Sequence, residues 1–116
     1  MKIVTTLIVF LFVSLIYAQE VKPIFEQQGD MVKAIYFHDN GVVAQTGFYE
    51  DGKPEGEWKM YNNEGKKIAM GQFTSGKKTG KWFFWEGEGL REVDYTDNKS
   101  ANVIKWTDSE SVVLNK

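Results

Sequence analysis

Residues 47–85 read GFYEDGKPEGEWKMYNNEGKKIAMGQFTSGKKTGKWFFW and determine the architecture of the chain. This stretch repeats itself with a fixed period of twenty-four positions, the interval from Trp58 to Trp82. Seven further columns keep the same spacing, and two of them reach outside the stretch: Phe37/Tyr61/Trp85, Gly41/Gly65/Gly89, Gly47/Gly71, Tyr49/Phe73, Gly52/Gly76, Lys53/Lys77 and Gly56/Gly80. Self-similarity at a fixed period of this length indicates a repeat architecture.

The period divides the chain into units at about 36–59 and 60–83 and a degenerate unit at 84–106. Trp106 continues the tryptophan column one full period after Trp82. Tyr95, however, falls two residues out of step with the column that contains Phe73, and no glycine answers Gly76 in the third unit. A degenerate last unit is typical of a cap that ends a stack of repeats.

Two kinds of turn punctuate each unit. Asp51 with Gly52, and Ser75 with Gly76, supply the residues that a tight hairpin with positive φ requires, and the glycines of the Gly41 column do the same half a period away. Short segments rich in aromatic and branched residues lie between the turns and predict strands at 34–37, 42–49, 57–61, 68–73 and 81–85, with one or two more within 102–106 and 111–114. The sequence therefore predicts an all-β protein, a single curved antiparallel meander sheet of repeated hairpins with almost no helix after residue 18.

The N-terminal segment 1–18 has the pattern of a secretory signal peptide, expected to be helical before removal. Lys2 precedes an apolar run that ends at Ala18, and a polar stretch follows. The alternative is an uncleaved anchor, but the run of about 16 residues is short of the roughly 20 needed to span a bilayer. Because the chain has no cysteine, a lipid-modified junction is excluded. We expect cleavage after Ala18, an extended or loosely structured lead-in at 19–33 and the repeat domain at 34–116.

The repeated columns resemble a known family. Residues 40–61 and 64–85 carry the strings Asn40-Gly41, Gly56-Glu57-Trp58 and Gly80-Lys81-Trp82, which are similar to the MORN-repeat variant found in many bacterial proteins. The resemblance covers residues 36 to about 98 and implies a single curved antiparallel sheet. For function it implies a protein-interaction or membrane-proximal scaffold. Some relatives are labelled antitoxin-like, a role that export argues against, since an antitoxin generally meets its toxin in the cytoplasm.

Composition excludes several functions. The net charge is −2 and basic residues are not clustered on the scale that phosphate neutralisation needs, so no nucleic-acid partner is expected. The chain lacks cysteine and has one histidine, His38, beside Asp39 in a predicted turn, where a solvated polar pair is the simpler interpretation than a catalytic base. We expect no enzyme activity, no catalytic residues, no cofactor and no metal site.

The densest group of basic residues is formed by five lysines: Lys66, Lys67, Lys77, Lys78 and Lys81. Such a patch is compatible with an anionic lipid or glycan. The alternative is that these lysines keep the sheet soluble and its edges unpaired, which is their commoner use.

The aromatic residues carry the prediction of a binding site. Side chains at odd separation along a strand point to opposite faces, so Trp82 and Trp85 belong to different faces. One face then carries Trp58, Met60, Trp82 and Phe84, and the other carries Phe37, Tyr61, Phe83 and Trp85. Either a terminal segment covers the second face and makes it core, or the second face is an exposed docking surface.

Two functions follow from these patterns. The first is a non-enzymatic exported interaction or scaffold module that binds a protein partner in the cell envelope through a sheet face or edge. The second is a carbohydrate or peptidoglycan binder whose exposed rings stack on sugars. In both cases Phe37, Tyr61, Phe83 and Trp85 are the expected binding residues. The expected location is periplasmic, outer-membrane-associated or extracellular, with no membrane anchor after cleavage.

Overall fold

The protein is an all-β, single-layer sheet. The computed structural model describes residues 21–107 and the backbone of 111–115, so the expected signal peptide at 1–18 lies outside the described residues. The nine strands are β1 (Ile24–Gln28), β2 (Met31–Phe37), β3 (Val43–Glu50), β4 (Lys53–Tyr61), β5 (Lys67–Thr74), β6 (Lys77–Glu86), β7 (Gly89–Thr96), β8 (Lys99–Trp106) and β9 (Ser111–Asn115). They pair in sequence order, every pair antiparallel.

This arrangement confirms the predicted antiparallel meander, and no helix interrupts the described ranges. The strands differ from the prediction in extent. The expected lead-in at 19–33 contributes β1 and the start of β2, because Phe25 pairs with Ala34 and Glu26 with Lys33. Strands β4 and β6 also begin four residues earlier than predicted, at Lys53 and Lys77, directly after the tight turns.

At one end of the strands the chain reverses through two-residue turns. This border of the sheet is called here the tight-turn edge, as distinct from the edge strands β1 and β9. Its turns occupy 29–30, 51–52, 75–76 and 97–98. The positive φ predicted for Gly52 and Gly76 is confirmed at 76° and 83°. In the third unit Asp97 and Asn98 take the same conformation at 48° and 69°, as asparagine and aspartate tolerate it better than other residues. Because this turn contains no glycine, the glycine pattern did not predict it.

The opposite edge is called here the loop edge. Its connections are the five-residue loops 38–42 and 62–66 and the shorter turn 87–88. The two long loops have the same backbone hydrogen bonds at equivalent positions of successive units, because the N–H of Gly41 donates to His38 and the N–H of Gly65 donates to Asn62. The repeat unit is therefore a pair of strands with one turn at each edge.

Apart from Ala69, the buried residues of the described chain lie in one line across the sheet, called here the buried row. Its members are Ala34, Gly47, Trp58, Gly71, Trp82, Val93 and Val103. They are successive cross-strand neighbours on one face. The face that carries the buried row is called here the core face.

Within the buried row each large ring is paired with a glycine on the preceding strand. The indole of Trp58 lies over Gly47 and the indole of Trp82 lies over Gly71, so closely that a methyl group on either glycine would overlap the ring. Each indole Nε1–H donates to the carbonyl of the residue after the glycine, over 3.1 Å for Trp58 and 3.0 Å for Trp82. As a result the two rings are only 2% and 1% exposed.

Glycine also sets the register beside these rings. The pairing of β3 with β4 and of β5 with β6 shifts next to Gly47 and Gly71, leaving two extra residues on β4 and on β6. The extra residues include Gly56 at φ 73° and Gly80 at φ 69°, a conformation that bulges commonly give to glycine. The predicted Gly56/Gly80 column therefore belongs to two bulges.

The core face is completed by aromatic side chains in edge-to-face contact. Phe73 packs between Trp58 and Trp82, with ring centroids 6.0 and 5.1 Å away. Tyr49 contacts Trp58 on one side and Tyr95 contacts Trp82 on the other, at 5.1 and 6.2 Å. Such pairs contribute about 0.5–1.5 kcal/mol each beyond the area they bury. The core thus lies within one layer of side chains.

The third unit departs from the period at Trp106. Val103 takes the place in the buried row that the spacing assigned to Trp106, because Val103 pairs with Val93. The interval from Trp82 to Val103 is three positions shorter than the period. Since three is odd, the alternation of side chains puts Trp106 on the opposite face, where it is 42% exposed.

The close contact between ring and glycine predicts a large effect of one methyl group. We expect Gly71→Ala to lower the free energy of unfolding by about 1–3 kcal/mol or more, because the methyl overlaps the indole of Trp82. The matched control is Gly89→Ala, whose methyl would meet only backbone oxygens at 3.4 Å and should change stability by about 0.5 kcal/mol or less. Denaturant unfolding measures both. Equal losses would contradict this account of the core.

A pair of hydroxyl groups on the core face predicts an alkaline loss of stability. The hydroxyls of Tyr36 and Tyr49 are 2.8 Å apart, and burial, then this hydrogen bond and the charge of Tyr36, raise the pKa of Tyr49 to about 12. In the unfolded chain a tyrosine ionises near pH 10. The folded state binds the Tyr49 proton more tightly than the unfolded chain does. The stabilisation that comes from this raised pKa is therefore complete below about pH 10 and is lost as the pH rises to about 12.

Tyrosinate absorbance and denaturant unfolding followed together across this range test the shift. Tyr36→Phe removes the hydrogen bond, so we expect Tyr49 to ionise at lower pH and the alkaline loss of stability to shrink. An unchanged ionisation midpoint in Tyr36→Phe would show that the pair does not control this pKa.

Candidate binding face

The face opposite the core face is called here the second face. Substantial packing between the described strands joins only consecutive neighbours, so the sheet is one layer thick. Strands β1, β8 and β9, which sequence reasoning considered as a cover, extend the sheet within its own plane. In the described part of the chain the cover is therefore absent, and the second face remains a surface.

A line of seven residues crosses the second face beside the loop edge and is called here the second-face row. Its members are Phe37, Val43, Tyr61, Lys67, Trp85, Leu90 and Trp106. Cross-strand pairing joins Phe37 to Val43 and Tyr61 to Lys67. Leu90 lies directly opposite both Trp85 and Trp106.

The four aromatic residues of this row share one property. They occupy the even-numbered strands β2, β4, β6 and β8, each at the end that approaches the loop edge: Phe37, Tyr61, Trp85 and Trp106. Neighbouring rings are thus two strand spacings apart, roughly 9–10 Å at the backbone. Aliphatic or cationic side chains fill the odd-numbered strands between them. The row is a periodic line of ring platforms.

The strongest local cluster surrounds Trp85. Its ring centroid lies 6.3 Å from that of Phe83 with the planes tilted by 36°, and the ammonium group of Lys67 lies 5.8 Å from the Trp85 ring centroid. The same ammonium group is 3.9 Å from the sulfur of Met70, which pairs with Phe83 across the strands. Cation, thioether and two rings therefore form one half-buried patch.

An apolar notch lies one repeat earlier in the row. It has a volume of about 380 Å³ and is lined by Val42, Val43, Thr46, Tyr61 and Gly65. Each of these residues lies one period before a residue at or near Trp85. Tyr61 corresponds to Trp85, and Val43 corresponds to Lys67. Two neighbouring units thus present related but chemically different positions, one apolar and one cationic.

Two ion pairs between described residues lie on the second face beyond the second-face row. Towards the tight-turn edge Glu57 pairs with Lys59 at 3.3 Å and Lys81 pairs with Glu92 at 3.6 Å. In each ion pair at least one of the two side chains is largely exposed to solvent, so the pair contributes little to stability. Charged pairs therefore border the second-face row on the side that faces away from the loop edge.

The structure places all four predicted binding residues on the second face and adds others. Phe37, Tyr61 and Trp85 lie in the second-face row, and Phe83 packs on Trp85. The faces assigned from the sequence did not include Trp106, and they also missed the intervening Val43, Lys67 and Leu90. The two-residue shift of Tyr95 indicates that the period fails in the third unit, but an even shift keeps a side chain on the same face and does not indicate the reversal at Trp106.

Two other expectations are corrected. His38 does not form a solvated pair with Asp39. It is half-buried, and its Nε2–H donates to the carbonyl of Tyr61 over 2.7 Å, a hydrogen bond that joins the loop 38–42 to the end of β4.

The five lysines do not form one patch. Lys78 lies over the rings of Trp82 and Tyr95 on the core face, at 5.2 Å from each centroid, while Lys67 lies on the second face.

Among residues 21–107 and 111–115 no group of three or more histidine, cysteine or acidic side chains is placed to hold a metal ion. The same residues include no helix of sufficient length and apolar character to cross a membrane. No protein-family model matches the chain, and no curated protein matches it in sequence. The resemblance to the MORN-repeat variant stays a prediction.

The two faces predict opposite consequences for two tryptophans of the same strand. We expect Trp82→Ala to cost about 3–5 kcal/mol of stability, because a fully buried ring leaves a cavity. Trp85→Ala should cost about 1 kcal/mol or less, since its ring is half-exposed and its cation contact is weak. Thermal and denaturant unfolding measure the difference. A Trp85→Ala variant as unstable as Trp82→Ala would make the second face part of the core.

Proposed function

We propose that this protein is a non-enzymatic exported interaction module that binds a partner protein of the cell envelope through the second-face row. The observation that carries the proposal is the line of four rings on alternate strands, on a face that no described strand covers. A single-layer sheet stabilises itself through its core face alone. Large apolar side chains on the other face are then explained by binding.

The chemistry of the row supports a protein partner. Aromatic side chains dominate the energetics of protein interfaces, and aliphatic neighbours exclude water around them. Trp85 and Trp106 flank Leu90, which gives an apolar centre, and the ion pair of Lys81 with Glu92 provides a polar rim on one side. This combination of an apolar centre and a charged border is common in non-obligate interfaces.

An extended glycan is the second candidate, favoured by the spacing of the rings. Ring platforms at intervals of roughly 9–10 Å can stack on every second sugar of an extended β-1,4-linked chain that runs across the strands. Lys67, whose ammonium group lies over Trp85, would then turn towards the sugar hydroxyls or N-acetyl groups. Peptidoglycan and related cell-wall polysaccharides belong to this ligand class.

The proposed location rests on the N-terminal sequence. The basic start, apolar run and Ala18-Gln19 junction support export to the periplasm or cell surface. The proposed relation to the MORN-repeat variant supports a scaffold rather than a catalyst, and no cofactor, nucleic acid or metal is part of the proposal.

A capture experiment tests the function. The tagged full-length chain is expressed in its own cells, and its envelope fraction is purified in parallel for wild type, Trp85→Ala, Trp106→Ala and the control Glu57→Ala, which removes an ion pair on the same face outside the second-face row. We expect a stoichiometric protein to be retained by wild type and the control. Trp85→Ala should weaken its binding by about thirtyfold or more, as loss of a buried aromatic anchor usually does.

Sedimentation with insoluble peptidoglycan, chitin and cellulose forms the second arm. Retention by a polysaccharide that is lost in Trp85→Ala and Trp106→Ala would replace the protein partner with a glycan. If neither arm shows retention that depends on these two tryptophans, the second-face row is not a binding surface.

A further inference from the structure

The N-terminal edge strand of the described sheet, β1, carries two large exposed apolar side chains. Every residue of β1 is exposed, and Ile24 and Phe25 remain 51% and 56% accessible. These are large apolar side chains on a strand that has one neighbour among the described strands, β2. Exposed edge strands of this kind pair readily with another strand, and proteins normally protect them with charge, proline, a bulge or a covering segment.

The backbone of β1 is also oriented for pairing. The two-residue turn 29–30 makes Gln28 and Met31 a hydrogen-bonded pair, and alternation then directs the backbone groups of Glu26 and Ile24 towards β2. Phe25 and Gln27 therefore present their N–H and C=O groups outwards. The free edge has both the apolar side chains and the outward backbone groups that a strand partner needs.

We propose that β1 pairs antiparallel with β1 of a second copy of this chain, around a two-fold axis at Ile24. In this register Ile24 lies opposite Ile24 of the partner subunit, and Phe25 lies opposite Pro23 of the partner subunit. Lys22 lies opposite Glu26 of the partner subunit, and the symmetry gives this charge pair twice. The outward N–H of Phe25 donates to the carbonyl of the partner's Pro23, and Gln27 exchanges hydrogen bonds with the partner's Val21.

Self-complementarity selects this register among its neighbours. A two-fold axis at Phe25 would place Glu26 opposite an isoleucine, and an axis at Glu26 would place two carboxylates opposite each other, which is destabilising. Only the axis at Ile24 pairs apolar with apolar and cation with anion over residues 22–26. Pro23 lacks an N–H, so it cannot donate to the partner's Phe25, and the register has one hydrogen bond fewer on each side of the axis.

The pairing has a consequence for the second face. Residues opposite each other in an antiparallel pair point to the same side of the sheet, so the core faces and the second faces of two copies are each continuous. Phe25, which packs edge-to-face on Tyr36 at 6.0 Å, would extend the aromatic contacts of the core face across the axis. A dimer would present two second-face rows on one side of a sheet twice as wide.

The absence of cysteine makes a direct test possible. Ile24 forms the non-hydrogen-bonded pair at the axis, where opposed Cα atoms lie about 4.5 Å apart, within the range that a disulfide bridges. Ile24→Cys in the full chain, purified in its processed form, should give a disulfide-linked dimer under mild oxidation. The matched control is Ile68→Cys, a 39% exposed apolar position on β5, and it should stay largely uncrosslinked.

Charge exchange tests the register independently of crosslinking. Lys22→Glu and Glu26→Lys should each raise the dissociation constant of the dimer by about tenfold or more, because two attractive cross-strand pairs become repulsive. The double variant Lys22→Glu/Glu26→Lys restores both pairs and should return to within about threefold of wild type. Sedimentation equilibrium or native mass spectrometry gives these constants, and circular dichroism confirms that each variant is folded.

Three results would overturn the proposal. The first is a wild-type protein that is monomeric across the accessible concentrations. The second is equal crosslinking of Ile24→Cys and Ile68→Cys, or a double variant no better than the singles. The third is growth of open-ended filaments, which would mean that β1 pairs with the C-terminal edge of the next copy.

Discussion

The structure depends on the contact between an indole ring and a glycine of the neighbouring strand. A single-layer sheet has no second layer to bury its side chains, so burial must come from side chains that lie flat on the sheet itself. Gly47 and Gly71 leave the space in which Trp58 and Trp82 lie, and the ring N–H of each tryptophan bonds to a backbone carbonyl beside that glycine. Two large rings are thereby removed from water with their polar groups satisfied.

The register of the strands follows from this contact. Gly56 and Gly80 take a left-handed conformation in the bulges next to the rings, and the loops at 38–42 and 62–66 return the chain at equal intervals. Each unit contacts mainly the unit before and after it, as in other repeat proteins, whose stability is close to a sum of unit and neighbour contributions. The fold is therefore built from contacts between strands that follow one another in the chain.

Because the core lies on the core face, the side chains of the second face are not needed to form it. On the core face Phe73 and Tyr95 complete the packing of Trp58 and Trp82, and Lys78 covers the end of that cluster with its ammonium group. The second face has no comparable task in stabilising the sheet. Phe37, Tyr61 and Trp85 are spaced by the same repeat that spaces the core, so a periodic line of rings on the second face is a direct result of a periodic fold.

Features that depend on neighbours along the chain could be derived without coordinates. These are the repeat period, the tight turns at Gly52 and Gly76, the meander and the opposite faces of Trp82 and Trp85, because turn chemistry and side-chain alternation are local. The position at which the period no longer predicts the face of a side chain is shown only by the pairing of the strands. The third unit is shorter by three residues between Trp82 and Val103, and an odd number reverses the alternation, so Trp106 lies on the second face and not on the face of Trp82. Strand pairing also makes Ile24–Gln28 a strand, since β2 offers its backbone groups to a segment whose own pattern is weak.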